Sequence, residues 1–516
     1  MKQIKYNQIY KFILVTTMFF AVVSCSKVNN FLDEPPSKTT SLVITTADQL
    51  DALLNNYSIF YSEGNRTAIY GSDDYELTKA LYDARPGTFS SMATIQFMLW
   101  DIPFLPDDNR EVFWSGEYRK IFYANTVLDY VDDVTGTDEQ KAALKADAHF
   151  VRAYSYWVLA NTYTLPYTEA TKGEVGLPIK LSTSFQESFA RQPLSKVYEQ
   201  IEADLAEALK TTVPLVQSGK ARHWRANKAA VNGFAARYWL SRHDYAKAVD
   251  FANKALAEYS VLVDYNTEMR YGNPQTLTLN SGTPQQSSFT LQYPYTHNNQ
   301  IDFTDMLGWK EFLYFRLLNH ESWWYIPSQE LLNLYDQTND LRFRYHIVEG
   351  YSYDRGMTKP SYNYPGYIFF FKDRVPSGPT TAEMYLIKAE GLAHTNQVTG
   401  AMDALNTLRA KRMTPGAWVN LTATDKDDAI KKVGEERRRE MPFSQRWFDL
   451  RRYNNNQYAN DDVNLSKSFY PYTNSAVQST QPVQNYTLPK NSRRWATPLP
   501  RTELISSNGE IVQNTY

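Results

Sequence analysis

Two pairs of adjacent acids, Asp73-Asp74 and Asp107-Asp108, are the first residues whose type could act on a bond. Paired carboxylates hydrolyse glycosides when a fixed gap separates them across a cleft. Adjacent side chains on extended backbone point to opposite sides, so neither pair sets such a gap, and cation binding or turn chemistry suits them better. A denser cluster runs from Ile430 to Arg452. Ile430, Val433 and Arg437 share one helical face, Glu436 and Glu440 stand four apart, and Trp447, Asp449, Arg451 and Arg452 follow closely. Mixed Glu and Arg at this density reads as a charge-paired network that fixes neighbouring elements, with a ligand site as the alternative. The seven His (His149, His223, His243, His297, His320, His346 and His394) are scattered. None forms HExxH or joins a Cys/His cluster, so no metal is expected. No GxSxG elbow, P-loop or GxGxxG follows a strand. On this reading the chain has no catalytic residues and no cofactor.

Capture without chemistry needs different parts. A pyranose has an apolar C–H face and a rim of hydroxyls. Trp and Tyr pack against the face, while Asn, Asp, Gln and Arg bond the rim. Aromatic content is 15%, with 38 Tyr and 11 Trp. Trp100, with Asn109 nearby, and Tyr293, Tyr295, Trp309, Trp323 and Trp324 fall in loop-like stretches and are the candidate ligand contacts. Each ring has a competing reading as core, because large aromatics are highly buried on average. Trp114, Trp157, Trp239 and Trp447 lie on helical faces or in the charged cluster and are expected in the core.

The 516 residues carry a net charge of -2, so no basic excess exists to hold a phosphate backbone, and nucleic acid is excluded as a partner. Lys2, Lys5 and Lys11 precede an apolar run, Phe12 to Val23, too short to span a bilayer. Ser24-Cys25-Ser26 follows at once. A small residue before a Cys at that place is the pattern of lipoprotein processing, in which the thiol takes the lipid as a thioether. Cys25 is the only Cys in the chain, so no internal disulfide can form. The expected organisation is a signal peptide over 1–24, a lipid tether over 25–40 and a globule beyond.

The elements that must position these groups are mainly helices. Periodicity predicts helices over Asp48–Phe60, Glu111–Asp132 and Glu139–Tyr163, the last with one apolar face. Ser195 can cap a fourth, with Val197, Ile201, Leu205 and Ala208 inward. Asn227–Ser241 and the DYAKAVDFANKAL segment after Arg242-His243 alternate small and large apolar residues, as a tetratricopeptide pair does. A second pair begins at Thr380, where Thr380 and Glu383 form a capping box, and returns through Gly400-AMDALNTLRAKR. Val263 to about Glu321 and Tyr453 to about Arg494 interrupt the pattern. They are rich in polar and aromatic residues and read as insertions with short strands. The mature chain thus divides into a helical N-terminal half over 41–262, a loop-rich ligand-face insertion over 263–322 and a C-terminal half over 323–516.

VGEERRREMPFSQRWFDLRRY, Val433 to Tyr453, resembles the signature of the SusD/RagB family of outer-membrane nutrient-binding lipoproteins from Bacteroidetes-type bacteria. AEMYLIKAEGLA from Ala382, FVRAYSYWVLANTYTLPY from Phe150 and the chain end from Ala496 resemble further family segments, as does the tether running into FLDEPP at Phe31. The resemblance implies a tetratricopeptide-like helical scaffold with an irregular ligand face. It implies an oligosaccharide ligand, or a peptide in RagB-like members. It also implies a SusC-like, TonB-dependent β-barrel partner that receives the ligand. A surface glycoside hydrolase is the rival from another class.

Overall fold

Local capping chemistry starts most of the long helices. The computed structural model describes residues 44–84, 92–105, 112–184, 186–271, 275–279, 287–291, 294–295, 306–319, 325–352, 363–370 and 374–516. Helix α1, Ala47–Leu54, stops at Asn55-Asn56 and a single turn, Tyr57–Phe60, resumes, so the first predicted helix is two. Asn56 sits at φ -75, ψ 70, outside the helical region. Helix α2 is Val112–Tyr130. Helix α3, Asp138–Tyr163, begins with a complete capping box: Thr137 accepts the Gln140 N–H at 3.2 Å, and Gln140 accepts the Thr137 N–H at 3.0 Å. Every residue from Phe150 to Tyr163 is buried, so the far half of α3 is enclosed on all sides, not on one face.

Helix α4 is Leu194–Ala208, with Val197, Ile201, Leu205 and Ala208 buried as their spacing predicts. Its cap position is Pro193, not Ser195. Ser195 already lies inside the first turn and its N–H goes to the Lys172 carbonyl at 2.8 Å.

Helices α5, Lys228–Ser241, and α6, Tyr245–Glu258, form a hairpin capped by Asn227 and Asp244. The link between them passes through His243 at φ 60. A second hairpin joins α7, Thr381–His394, to α8, Val398–Arg409, through Asn396 at φ 62. α6 packs on α7, so the two hairpins stack. Gly391 makes that possible, since a Cβ there would stand 2.5 Å from Val249 Cγ2 and 2.9 Å from the Tyr245 carbonyl oxygen. The second capping box is half formed. Thr380 accepts the Glu383 N–H at 3.2 Å, but the Glu383 carboxylate turns to the Arg237 guanidinium at 2.6 and 2.8 Å. A charged partner outcompetes a backbone N–H.

Helix α9, Lys426–Glu440, and helix α10, Arg446–Tyr453, carry the charged cluster. A three-stranded sheet ties distant parts of the chain together: β1, Ser62–Glu63, runs parallel to β2, Leu317–Asn319, which pairs antiparallel with β3, Arg374–Pro376. β4, Leu465–Phe469, and β5, Gln484–Leu488, form a hairpin in the second predicted insertion. The first predicted insertion holds an antiparallel pair, Gln275–Leu279 with Ser287–Leu291. Its last part differs from a surface insertion: Met306, Trp309 and Phe312 through Leu318 are all buried. The fold is mainly helical, as predicted, and residues Ala47 to Tyr516 form one compact unit. No helix among the described residues is long and apolar enough to cross a membrane.

Candidate functional site

Both acids of the first pair are occupied by the charged cluster. Arg446 grips Asp73 through Nε and Nη2, each at 2.7 Å. Arg438 Nε donates to Asp74 at 2.7 Å, and the Phe443 N–H reaches its other oxygen at 3.0 Å. Burial alone would raise the Asp73 carboxyl, but Arg446 and Arg438 overcome it and hold that group well below the usual range. At Asp74 burial prevails over Arg438, and the carboxyl is raised. Further along α9, Glu436 accepts from Arg409 at 2.8 Å and Arg439 at 2.7 Å, and Glu440 from Arg342 at 2.9 Å and Arg412 at 2.8 Å. These groups lie out of water and locked to partners. The cluster is therefore the charge-paired network its density predicts.

The structure corrects two of the predicted ligand contacts. Trp100 is 1 % exposed. Its backbone is left-handed at φ 59, its indole N–H donates to the Gly71 carbonyl at 2.9 Å, and it packs with Trp447, Trp495 and Leu450. Trp309 is 2 % exposed and meets Phe369, Phe370 and Tyr265 edge to face, with centroids 5.1, 5.8 and 6.4 Å away. Burial of large rings in an aromatic core won over display in both cases, so neither face is open to a sugar. Asn109, Tyr293, Trp323 and Trp324 lie outside the described residues, as do Cys25 and Asp107-Asp108. Of Tyr295 only the backbone is described, in a short strand paired with Arg270–Tyr271. Trp114, Trp157 and Trp447 are core, and Trp239 is partly buried under the Lys247 ammonium at 3.7 Å.

Nevertheless the predicted loops share a root. Leu105, Met269, Met306, Leu318 and Tyr325 flank the segments that carry Asn109, Tyr293, Tyr295, Trp323 and Trp324, and all five belong to or pack against one aromatic cluster. At the margin of that cluster the structure exposes a chain of polar and aromatic groups that the sequence reading did not select. Tyr472 and Tyr486 are half-buried and stack with centroids 6.0 Å apart and planes at 29°. Tyr472 donates to Asp101 at 2.8 Å, and Tyr486 donates to the Tyr470 carbonyl at 3.1 Å. Tyr470 donates to Asp83 at 2.9 Å, and Asp83 also takes the Lys79 ammonium. The exposed Gln484 amide completes the line by donating to the Tyr486 hydroxyl at 2.5 Å.

Electrostatics keep these phenols neutral. Burial, then the neighbouring Asp101, raises Tyr472, and burial raises Tyr486. The Lys79 hydrogen bond, helped by Tyr470, lowers the exposed Asp83 carboxyl. Neutral rings flanked by carboxylates and an amide suit a ligand with an apolar face and a hydroxyl rim. The sequence signal for these tyrosines is the aromatic-rich stretch from Tyr453 to Arg494, whose pattern singles out no one ring.

Comparisons with known proteins follow the same line. Residues 30–240 match a SusD-like family described as starch-binding and associating with the outer membrane, and residues 381–516 match the SusD family. SusD-like protein P2 of Formosa agariphila is 26% identical over 193 residues, which is 36% of this chain and 35% of that protein, so the chain spans about a third of that relative. A SusD superfamily protein of Bacteroides thetaiotaomicron superposes with a TM-score of 0.61 at 18% identity, over 92% of this chain and 100% of that one. A SusD-like carbohydrate-binding protein of Bacteroides vulgatus gives 0.56 at 18% identity, over 90% and 97%. A laminarin-binding SusD-like protein gives 0.54 at 18% identity, over 91% and 99%. At these identities the structural likeness establishes the fold.

Proposed function

The chain belongs to the SusD family, and on that premise we propose that it captures an oligosaccharide at the cell surface and passes it unaltered to a SusC-like, TonB-dependent barrel. The observation that carries the ligand class is the half-buried Tyr472–Tyr486 stack, bordered by Asp101, Asp83 and Gln484 at the margin of the aromatic cluster. Asn109, Tyr293, Tyr295, Trp323 and Trp324 are the proposed further contacts, since the segments that bear them spring from the same cluster. Several rings are needed, because each adds only about 1 kcal/mol beyond its contact area. The occupation of Asp73, Asp74, Glu436 and Glu440 by guanidiniums supports binding without hydrolysis. Anchoring rests on Cys25, whose position after a short apolar run suits lipidation and outward display on the outer membrane.

Affinity electrophoresis through gels holding laminarin or soluble starch tests this reading. Retarded migration in one of them, with no new reducing ends after long incubation, is the expected result. Unretarded migration in a panel of glycans, together with binding to a peptide library, would replace the sugar with a peptide ligand of the RagB-like kind. Release of reducing ends would replace the binder with a hydrolase. Co-purification with the barrel, lost when Cys25→Ala removes the anchor but the soluble protein still binds glycan, separates delivery from capture.

A further inference from the structure

A small cavity of about 30 Å³ lies where α3, α5 and α10 meet, away from the Tyr472–Tyr486 face. Four guanidiniums line it: Arg237, Arg437, Arg451 and Arg452. Three carboxylates answer them. Glu383 takes Arg237 at 2.6 Å, Asp449 takes Arg437 at 2.7 Å and Arg452 at 3.0 Å, and Glu390 takes Arg452 at 2.7 Å. Arg451 is left without an acid. Its Nη1 and Nη2 donate to the Trp495 and Thr164 carbonyl oxygens at 2.5 and 2.8 Å. Its buried Nε has no hydrogen-bond partner among the described residues, and the same holds for Nη1 of Arg437. Both residues are buried, at 2 and 3 % exposure.

Backbone carbonyls solvate a guanidinium but do not neutralise it, and an uncompensated buried charge is costly. Burial without an acid partner draws Arg451 down to about 10, yet it remains charged at neutral pH. His243 also lines the cavity and adds no charge, because burial and then Arg452 hold its imidazole at about 4. The Arg242 guanidinium, 3.8 Å from the Tyr167 ring at the cavity wall, adds further positive potential. Trp157, Tyr198 and Leu240 supply low-dielectric walls, which strengthen any pairing inside. The volume exceeds the ~15 Å³ that one water needs and suits a monatomic ion.

We infer that this cavity is an anion site, in which a single halide of the chloride class bridges the free N–H groups of Arg451 and Arg437 and supplies the missing counter-charge. The ion is structural. It completes the neutralisation of the signature helix α10 against α3 and α9.

Two measurements on the whole protein decide it. Crystals soaked in sodium bromide are expected to show an anomalous peak within hydrogen-bond distance of Arg451 Nε and Arg437 Nη1. Thermal unfolding is expected to rise by several degrees, in a saturable way, as sodium gluconate is exchanged for sodium chloride at constant ionic strength. The Arg451→Leu variant, where it folds, should lose that halide dependence while keeping its response to ionic strength. Absence of bromide at this place, with a water there instead, overturns the inference. Melting curves that follow ionic strength alone, or a folded Arg451→Leu that keeps the saturable halide response, overturn it equally.

Discussion

The indole N–H of Trp100 closes on the carbonyl oxygen of Gly71 at 2.9 Å, joining the turn at the end of one short helix to another 29 residues later. Trp447 backs this contact, for a Cβ on Gly71 would stand 3.2 Å from its ring. A ring held in this way is a packing element. Trp100→Ala is therefore expected to cost about 3–5 kcal/mol of stability. The folded fraction should bind glycan with unchanged affinity. Denaturant titration and calorimetry on the same sample check both halves. A variant of full stability that has lost its ligand would return Trp100 to the binding face.

The Asp73–Arg446 pair is a two-point contact, buried at Arg446 and mostly buried at Asp73, and removing one partner strands the other. Asp73→Asn should destabilise by about 3–5 kcal/mol. Replacing both residues with apolar ones of similar size should cost less than that single change, because no charge is left alone. Urea midpoints of the two variants and the parent give the comparison. Equal losses in both would mean that the pair holds the fold by its hydrogen bonds alone.

Gly391 sits where α6 and α7 touch. Gly391→Val places atoms on Val249 and on the Tyr245 carbonyl, whose distances from a mere Cβ are already 2.5 and 2.9 Å. The hairpins must move apart, at about 1–3 kcal/mol or more. Hydrogen exchange should quicken along α6 and α7 before it quickens in α3. Unchanged protection in both helices would show that the stack tolerates the added volume.

Stability should also depend on pH through two buried ammoniums. Burial pulls Lys467 down to about 7 despite the attraction of Asp73, and burial with Arg316 pulls Lys120 to about 8. Both values lie below the unfolded value of ~10.4. Between about pH 7 and 10 the unfolded chain thus binds more protons than the folded one, and stability rises with pH. The folding constant gains at most about tenfold per pH unit from each group. Lys467→Met should flatten the slope of urea midpoints over that range by its own share. A slope of the opposite sign in the parent would contradict the depressed values.

The parts of the fold that were legible in the sequence are those written locally. The three-residue spacing of Thr380 and Glu383 announces a helix start, and Thr380 does accept the Glu383 N–H at 3.2 Å. The density of Glu and Arg in α9 and α10 announced a network, though not that Asp73 and Asp74, more than 350 residues away, would be its partners. The site was read less well, because exposure of a loop ring is a tertiary outcome. Trp100 turns inward through a left-handed backbone that nothing in its neighbours signals. Tyr472, just past the end of β4, meets Tyr486 inside β5 because the two strands pair in register, Leu465 opposite Leu488. Ser195 shows the same limit on a small scale, where a good capping residue lost its place to Pro193, two residues earlier, because the helix already starts at Leu194.

Calorimetric titration of laminarin oligosaccharides or maltooligosaccharides into the parent and into Tyr472→Ala/Tyr486→Ala bears most directly on capture by ring faces. The account predicts saturable heat for one of these glycans in the parent, at least a tenfold weaker affinity in the double variant, about 1.4 kcal/mol, and intact sugar recovered from both. Undiminished affinity in a folded double variant, or shortened sugar in the parent's cell, would contradict it.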